Sequence, residues 1–495
     1  MLKKINRYKY IYLGLLGWVL LTIFSASEYA KIIKNSCYFC VSWPFCTYSI
    51  TTTKHIIQGL ILLPTFLFFF FYGKYIFNYL KSNQETLNKK AYLLIIFFII
   101  CAFLIAPFGS GDTIYYFNAG KAVENGINPY TESWSIANYF FSPNNTMTIG
   151  VMYGPIILFG FKVIYKISLG NPLIFIILWK LLMILALIIA GFLIFKLIKI
   201  YSPDSDKRIF YFFWLTQPLI LFEWIVNGHF DALWLIPILL AFIFSHKKQW
   251  WLTIIFLTIS IWIKFIPLLI TPWFILWWWQ DLNKNNYSKK SMEAILGISI
   301  STLITYFAWL PFWQGMKVFQ PLILQSKWAV FSIFSTAYYT LQPSFNSLLT
   351  NQSHWILTRL IHLSLLIVAI YFAYPLFKKA FLVLFKKIPL KESDYILAIF
   401  ISLLIYLFIW QKSFWPWYIT WIIPLGLIVY NHKKNIYLEK ILIWLSLSPL
   451  FFYAIQMLTS TKTHQLWIFY YVVITIMAYP LWQLIKWRKN NYDIS

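Results

Sequence analysis

The chain has 495 residues, of which 60% are hydrophobic and only 11% are charged, and its mean hydropathy is +0.68. Apolar runs of about 20 residues, long enough to cross a bilayer, recur along the chain and exclude a water-soluble globular protein. The 41 Lys and Arg against 15 Asp and Glu give a formal net charge of +26. Because the basic residues lie mostly in short linkers between apolar runs, they indicate membrane topology and not nucleic-acid binding.

The first segment combines a basic start with an apolar stretch and lacks a small-residue cleavage pattern, which predicts an uncleaved first span. Three of the four cysteines, Cys37, Cys40 and Cys46, follow in a hydrophilic patch. With no fourth cysteine or histidine near them, a zinc site is not expected. A disulfide between two of them is left open, since it depends on the compartment that the patch faces.

The apolar runs predict an all-α polytopic membrane protein with about 14 spans and both termini in the cytoplasm. The run 250–279 has basic linkers at both ends, so Pro267 and Pro272 are expected to divide it into a tight hairpin with Lys264 near its outer tip. The runs lie near 11–30, 55–78, 91–108, 172–197, 208–226, 231–245, 250–279, 292–312, 354–377, 394–410, 417–431, 438–457 and 466–485. Lys180, inside one of them, is expected to be a snorkelling or helix-end residue.

The positive-inside rule places two large loops, 109–171 and 313–353, on the outer face of a single domain that spans 1–495. Within the first loop, 151–168 cannot be a span, because 172–197 already makes the required crossing. We expect it to be an interfacial helix with Lys162 and Lys166 on its wet edge. No phosphate-binding glycine loop or dinucleotide fingerprint occurs, which argues against a nucleotide-sugar site on the inner face.

Three segments carry side chains suited to chemistry, and all three fall on the predicted outer face. The first is the polar stretch 109–130 with the acid Asp112; the second is the short turn 227–231; the third is the aromatic segment 414–421. From these segments, and from the start of the interfacial helix 151–168, we select ten candidate substrate-binding residues. They are Tyr115, Tyr116, Asn128, Tyr130, Tyr153, Asn227, His229, Asp231, Trp417 and Tyr418. Lys264 and Lys412 are the accompanying cations.

In order and spacing, these segments resemble the GT-C superfamily of glycosyltransferases. The resemblance rests on Asp112 after a helix, Asn128-Pro129-Tyr130, Tyr153-Gly154-Pro155, the turn 227–231 and the segment 414–424, and it covers roughly 90–430. Within the superfamily the chain is most similar to mannosyltransferases that depend on polyprenol-phosphate-mannose. The resemblance implies a GT-C fold, a polyprenyl-phosphate sugar donor, and a lipid or glycan acceptor within the membrane.

The chemistry of such a transfer explains the residue types. Displacing a lipid phosphate from a sugar carbon requires a carboxylate that accepts the proton of the incoming hydroxyl, and Asp112 is the predicted base of an inverting reaction. The leaving phosphate requires cations or amide dipoles, for which Lys264, Lys412 and His229 are candidates, together with Lys317 and Lys327. The alternatives for Asp112 are an N-terminal helix cap or a solvated loop acid.

The other selected residues also have structural alternatives. Asp231 is either a substrate ligand or the cap of the next helix, and Lys264 either contacts phosphate or snorkels to water. The aromatic rings at 415–421 either stack on a sugar or belong to an interfacial belt. Glu223 lies inside an apolar helix, where an ionisable group usually faces a polar cavity, and a metal site formed by Glu223, His229 and Asp231 is a weaker interpretation.

We therefore expect a hexosyltransferase, with mannose the sugar that the resemblance implies, in the cytoplasmic membrane of a bacterium with its active site on the external or periplasmic face. No cofactor is specified. Because Thr113 stands where many GT-C enzymes have a second acid, a divalent metal is left open. The alternatives are a transporter or flippase of lipid-linked sugars, which would show inverted repeats, and a ligase or polymerase of lipid-linked glycans.

Overall fold

The computed structural model describes residues 10–23, 25, 52–82, 89–132, 150–203, 213–282, 287–326, 329–346, 351–433, 435–458 and 465–492. Within these ranges the chain is helical, as predicted, and no β-strand is formed there. The expectations for Cys37, Cys40 and Cys46, and for Lys327, lie outside the described residues. The fourth cysteine, Cys101, is buried and has a free thiol.

Seven helices of the described part are long and apolar enough to cross a membrane: Ile57–Lys74, Pro172–Tyr201, Tyr287–Trp309, Trp355–Phe385, Glu392–Trp410, Ile436–Leu458 and Trp467–Lys489. The bent pair Pro218–Val226 and Asp231–His246 adds an eighth if the two helices form one broken span. Four shorter apolar helices are Tyr10–Ile23, Tyr92–Leu104, Trp250–Ile263 and Pro416–Tyr430. The protein is thus an integral membrane protein, and the total of about 14 spans stays a prediction.

Two short helices of the first large loop pack against each other. They are Asp112–Glu124 and Pro155–Ile167, and the second corresponds to the predicted interfacial helix. Pro155 starts it at a position where the missing N–H has no helical partner. Its apolar face is buried, whereas Lys162 and Lys166 lie 3.4 and 3.6 Å from the carboxylate of Glu124. The apolar face and the two lysines of the second helix therefore hold it against the first helix. The location of both helices at the membrane surface stays a prediction.

The long helix Pro172–Tyr201 has a well-capped N-terminus. Asn171 accepts hydrogen bonds from the backbone N–H groups of Leu173 and Ile174 at 2.9 and 3.1 Å, and Pro172 occupies the first helical position. This arrangement satisfies two of the N–H groups that a helix start leaves without partners. The helix Pro172–Tyr201 then runs for 30 residues beside the candidate site.

Lys180 of this helix is buried and holds the end of its neighbour. Its side chain is 1% exposed, and Nζ donates to the carbonyl oxygens of Ala102, Phe103 (3.1 Å) and Ile105. These carbonyls terminate the helix Lys89–Leu104, where a cation also interacts favourably with the helix dipole. The expectation for Lys180 is therefore wrong: it lies inside its own helix, is buried, and binds the carbonyl end of the neighbouring helix.

The predicted hairpin at 250–279 is wrong in one respect. The helix Trp250–Ile263 ends at the extended residue Lys264, and a second helix, Thr271–Leu282, follows after a 3₁₀ turn at Ile266–Leu269. The break therefore includes Pro267, as predicted, and Pro272 lies in the first turn of the second helix. However, the first helix packs chiefly on Asp231–His246 and Tyr287–Trp309 and not on the second. Apolar faces are better buried against these longer helices than between two short ones.

Glycine at 154 permits the closest backbone contact between the loop helices and the membrane helices. The Gly154 N–H donates to the carbonyl of Ile263 at 3.2 Å, and a Cβ at this position would lie 2.1 Å from the carbonyl oxygen of Trp262. Neither backbone can move without breaking that hydrogen bond.

We expect Gly154→Ala to destabilise the protein by about 1–3 kcal/mol, the cost of overpacking a tight contact. The measurement is thermal unfolding in detergent. Gly160→Ala is the matched control in the same helix, because the nearest atom to its added Cβ would be 3.8 Å away. Equal melting temperatures for the two variants would contradict the proposed contact.

Candidate active site

Asp112 lies at the start of a helix with its side chain facing a partly open space. Gly111 is the N-cap, so the interpretation of Asp112 as a helix cap is wrong, and Asp112 is the first helical residue. The Ser110 hydroxyl accepts the Asp112 N–H at 3.2 Å. The Asp112 side chain is 17% exposed, whereas the residues around it are almost fully buried. A carboxylate in the first turn is stabilised by the helix dipole.

Two neighbours contact one oxygen of this carboxylate. The Tyr116 hydroxyl donates to Asp112 Oδ2 at 3.2 Å, and His229 Nδ1 lies 3.3 Å from the same oxygen. Burial alone would raise the pKa of Asp112, but His229, Lys264 and the Tyr116 hydroxyl together lower it below its ordinary value of 3.8. Burial, followed by the charge of Asp112, raises the pKa of Tyr116, which therefore remains a donor. Asp112 is accordingly an ionised carboxylate at neutral pH.

The turn 227–231 follows a widened, π-helical turn at Leu221–Val226. It is held by hydrogen bonds from two other elements. Thr113 Oγ1 donates to the carbonyl of Asn227 at 2.6 Å, and Trp179 Nε1 donates to the carbonyl of Gly228 at 2.6 Å. Gly228 has a φ of +70°, which is accessible to glycine without strain. The turn is thus fixed directly beside Asp112.

His229 is clamped within this turn. Its ring stacks on Trp417 with centroids 4.1 Å apart and an interplanar angle of 21°, and its side chain is 1% exposed. Nε2 lies 3.5 Å from Glu223 Oε2, on the side opposite Asp112. Within the described part of the chain, neither ring nitrogen makes a hydrogen bond of good geometry. The imidazole therefore lies between two carboxylates.

Glu223 belongs to a buried polar network that the sequence indicated only in part. Its carboxylate accepts hydrogen bonds from Asn227 Nδ2 at 2.9 Å and from the Tyr453 hydroxyl at 2.8 Å. The other amide atom of Asn227, Oδ1, accepts the N–H of Gly109 at 3.0 Å. Asn227 is therefore engaged within the protein, and its role in the structure is to link the turn to the loop.

Asp231 and Lys264 form a buried ion pair at the next corner of the site. Lys264 Nζ lies 2.5 Å from Asp231 Oδ1, which also accepts a hydrogen bond from Trp421 Nε1 at 2.6 Å. The ammonium group lies over the rings of Phe230, Tyr418 and Trp421, and the nearest of these, Trp421, has its centroid 4.6 Å away. Lys264 thus does not snorkel freely to water.

The remaining predicted residues divide into two groups. Tyr115, Tyr116 and Tyr153 are close to the carboxylate: the Tyr153 ring contacts both other rings at about 6 Å edge-on, and the charge of Asp112 raises the pKa of Tyr153 after burial does. The Tyr418 ring is tilted by 34° against the Trp421 ring, with centroids 4.4 Å apart. The four tyrosines lie around the Asp112 carboxylate.

Asn128 and Tyr130 instead use their polar groups to anchor the loop. Asn128 Nδ2 donates to the carbonyl of Phe312 at 2.8 Å, and the Tyr130 hydroxyl donates to the carbonyl of Tyr153 at 2.8 Å. Lys412 Nζ lies over the ring of Phe334, and no ion pair in the described ranges connects it to the Asp112 group. The structure therefore brings Lys264, but not Lys412, to this carboxylate.

The described residues contain no group of three or more His, Cys, Asp or Glu side chains that could hold a metal ion. Glu223 and Asp231 are directed to separate partners, Tyr453 and Lys264, so the weaker interpretation of a Glu223, His229 and Asp231 metal site does not match this arrangement. The carboxylates instead take part in separate ion pairs and hydrogen bonds.

Residues 11–280 match the family model described as alpha-(1->6)-mannopyranosyltransferase, N-terminal domain. The chain belongs to this family. The match includes the Asp112 loop, the 227–231 turn and Lys264, and with the long apolar helices it identifies a membrane mannosyltransferase that uses a sugar donor and an acceptor. No curated protein matches the chain.

The C-terminal part of this mannosyltransferase supplies site residues that sequence reasoning missed. Tyr453 lies in the apolar run 438–457, from which the sequence analysis selects no residue, yet its hydroxyl donates to Glu223. Trp421 belonged to a recognised motif, but its contact with Asp231 had no signal in the sequence. A buried glutamate in an apolar helix requires a donor, and that requirement was the available clue.

Breaking the buried ion pair should destabilise this mannosyltransferase. Lys264→Met leaves Asp231 without its counter-ion, and we expect a loss of about 3–5 kcal/mol, because removal of one partner leaves a buried charge. Thermal unfolding in detergent measures it. Lys379→Met is the control for the more exposed pair between Lys379 and Asp394, 3.4 Å apart, and should cost under about 1 kcal/mol.

The double variant Lys264→Met/Asp231→Asn should recover much of the stability, since no unpaired charge then remains. A double variant as unstable as Lys264→Met alone would show that Lys264 acts by packing over the aromatic rings and not by pairing with Asp231.

Proposed function

We propose that the protein transfers mannose from a polyprenyl-phosphate donor to an acceptor hydroxyl on the outer face of the membrane, with Asp112 as the general base. The observation that carries the proposal is the state of the Asp112 carboxylate. Both of its side-chain contacts, with Tyr116 and His229, are made by Oδ2. In the described ranges Oδ1 has no hydrogen bond or ion pair, and it is the oxygen available to an incoming hydroxyl.

The burial of the other acids supports a single displacement. Glu223 is 0% exposed and Asp231 is 2% exposed, and both are occupied by hydrogen bonds within the protein. Asp112 is thus the one acid of this cluster that faces the open space. A retaining reaction with a covalent intermediate would need a second carboxylate as nucleophile. One accessible base and a phosphate leaving group fit direct attack of the acceptor hydroxyl on the sugar, with inversion.

Inversion also predicts the configuration of the sugar–phosphate bond in the donor. If the product has the α-linkage named in the family description, inversion requires a donor in which mannose is β-linked to the phosphate. The hydroxyl oxygen bonds to the sugar carbon, the carbon–oxygen bond to phosphate breaks, and Asp112 receives the hydroxyl proton. The phosphate leaves with the electron pair, so no further acid is needed.

The walls of the site fit a sugar and a phosphate. Tyr115, Tyr153 and Tyr418 offer aromatic edges and hydroxyl groups, which suit the two faces of a hexose. With His229, Lys264 lowers the pKa of Asp112, and it is the lysine of this cluster. Held by Asp231 and three rings, it offers a positive charge of fixed position to the leaving phosphate.

Removing the base should abolish transfer. We expect Asp112→Asn to lower the rate by about 10²–10⁴-fold while the protein inserts and unfolds normally. The assay supplies β-linked and, in parallel, α-linked polyprenyl-phosphate mannose to purified protein, with a membrane lipid extract as acceptor. Glu124→Gln is the control, because Glu124 lies on the same helix but pairs with Lys162 and Lys166.

Full transfer by Asp112→Asn would remove Asp112 as the base. Transfer from the α-linked donor with an α-linked product would contradict inversion and leave Asp112 with a different role. Wild-type activity that is confined to the β-linked donor, with a silent Asp112→Asn variant, supports both parts of the proposal.

The orientation in the membrane is tested by labelling. In a cysteine-free background, Leu169→Cys and Met316→Cys introduce thiols at positions that are 90% and 75% exposed in the first and second large loops. We expect a membrane-impermeant maleimide to label both in intact cells, and to label Lys386→Cys only after the membrane is opened. The reverse pattern would place the active site on the cytoplasmic face.

A further inference from the structure

The position of His229 has a chemical consequence beyond substrate contact. Its two ring nitrogens face two carboxylates, Asp112 at 3.3 Å and Glu223 at 3.5 Å. An ionised carboxylate only accepts hydrogen bonds, whereas a neutral imidazole has one donor nitrogen and one acceptor nitrogen. A ring that carries its proton on Nδ1 directs this proton at Asp112 Oδ2.

The surroundings hold the ring in this orientation. Trp417 covers one face of the imidazole, and the backbone N–H of His229 donates to the Glu223 carbonyl at 2.9 Å across the widened helical turn. Glu223 is itself fixed by Tyr453 and Asn227. Such widened turns occur often at functional sites, because they redirect side chains that a regular helix would bury. The stacking on Trp417 thus fixes the plane of the ring, and in this plane one nitrogen lies beside each carboxylate.

Resting on the proposed function, we infer that His229 is a positioning residue, held between Glu223 and Asp112, that fixes Asp112 through Oδ2 and leaves Oδ1 for the acceptor hydroxyl. The proton moves from the acceptor oxygen to Asp112 Oδ1, and His229 takes no proton in this step. Hydrogen bonds that are long in a free enzyme commonly shorten when the substrate is bound, so 3.3 and 3.5 Å are compatible with this role.

Several ionisable groups act on Asp112, and a pH experiment must separate them. The basic groups are His229 and Lys264, and beyond them lie the carboxylates of Glu223 and Asp231. The hydroxyl groups near Asp112, from its own helix and from two other segments, are those of Tyr115, Tyr116, Tyr153 and Tyr418. Because the hydroxyl pKa values are raised, these tyrosines stay neutral over the tested range, which leaves the histidine, the lysine and the carboxylates.

The test compares pH profiles of transfer from β-linked polyprenyl-phosphate mannose. The folded-state pKa of Asp112 is depressed, so ionised Asp112 persists as the pH falls towards 3.8 and below. In His229→Gln the pKa of Asp112 is lowered less, because His229 is one of the groups that lower it. We therefore expect the acidic limb of the pH–activity profile to move to higher pH. We also expect a loss of roughly 10- to 100-fold in kcat, the scale of one hydrogen bond to a charged group, and little change in KM.

Glu223→Gln should give a different profile. Without the Glu223 carboxylate, His229 Nε2 loses the charged partner that lies 3.5 Å away, but Asp112 keeps its contact with Nδ1. We therefore expect a smaller fall in kcat than in His229→Gln and an acidic limb at its wild-type position. His246→Gln is the matched control, since His246 also pairs with a glutamate, Glu392 at 2.7 Å, in a region remote in function. This control should leave the profile unchanged.

The outcomes separate this inference from the proposed function. Asp112→Asn with full activity defeats the proposed function itself. An inactive Asp112→Asn, combined with a His229→Gln profile that is merely lowered at every pH, preserves the base and overturns the role of His229. Thermal unfolding identifies variants that fail to fold, and for these His229→Asn, whose shorter amide can donate one hydrogen bond, provides the second measurement of the acidic limb.

Discussion

The turn 227–231 is the constraint on which the rest of the site depends. It interrupts a helix in an apolar environment, where exposed backbone groups have no water as a partner. The structure satisfies the carbonyls of Asn227 and Gly228 with Thr113 and Trp179, and it uses the Asn227 side chain to bind Gly109. The hydrogen bonds that stabilise the irregular turn therefore also hold the 109–130 loop against it. The same hydrogen bonds thus stabilise the turn and assemble the candidate site.

The buried carboxylates of the cluster each have a charged or hydrogen-bonding partner. Asp231 is paired with Lys264, and Glu223 receives two neutral donors and faces His229. Unpaired charges in such surroundings would cost several kcal/mol each. The acid that escapes this pairing on one of its oxygens is Asp112. This open oxygen is the reason why we propose Asp112, and not Glu223 or Asp231, as the base.

The sequence predicts which residues belong to the candidate site better than it predicts which residues they contact. Asp112, His229 and Lys264 can be found because polar residues stand out at the ends of apolar runs, and their order along the chain follows a known pattern. The partners Tyr453 and Trp421 cannot be found this way, since a tyrosine or tryptophan in an apolar run is also typical of packing or of an interfacial belt. Lys412 illustrates the converse: proximity in sequence to Trp417 did not bring it to Asp112, because the chain there directs it to Phe334.

The contact between Glu223 and Tyr453 spans 230 positions of the chain. Residues 11–280 define the family, but Trp417, Trp421 and Tyr453 lie beyond them. A fragment that ends at residue 280 would lack Trp421, which donates to Asp231, and Tyr453, which donates to Glu223, so each buried carboxylate would lose one hydrogen bond. The candidate site is therefore built from residues inside and outside the family region, and its hydrogen bonds can be completed only after residue 453 has been synthesised.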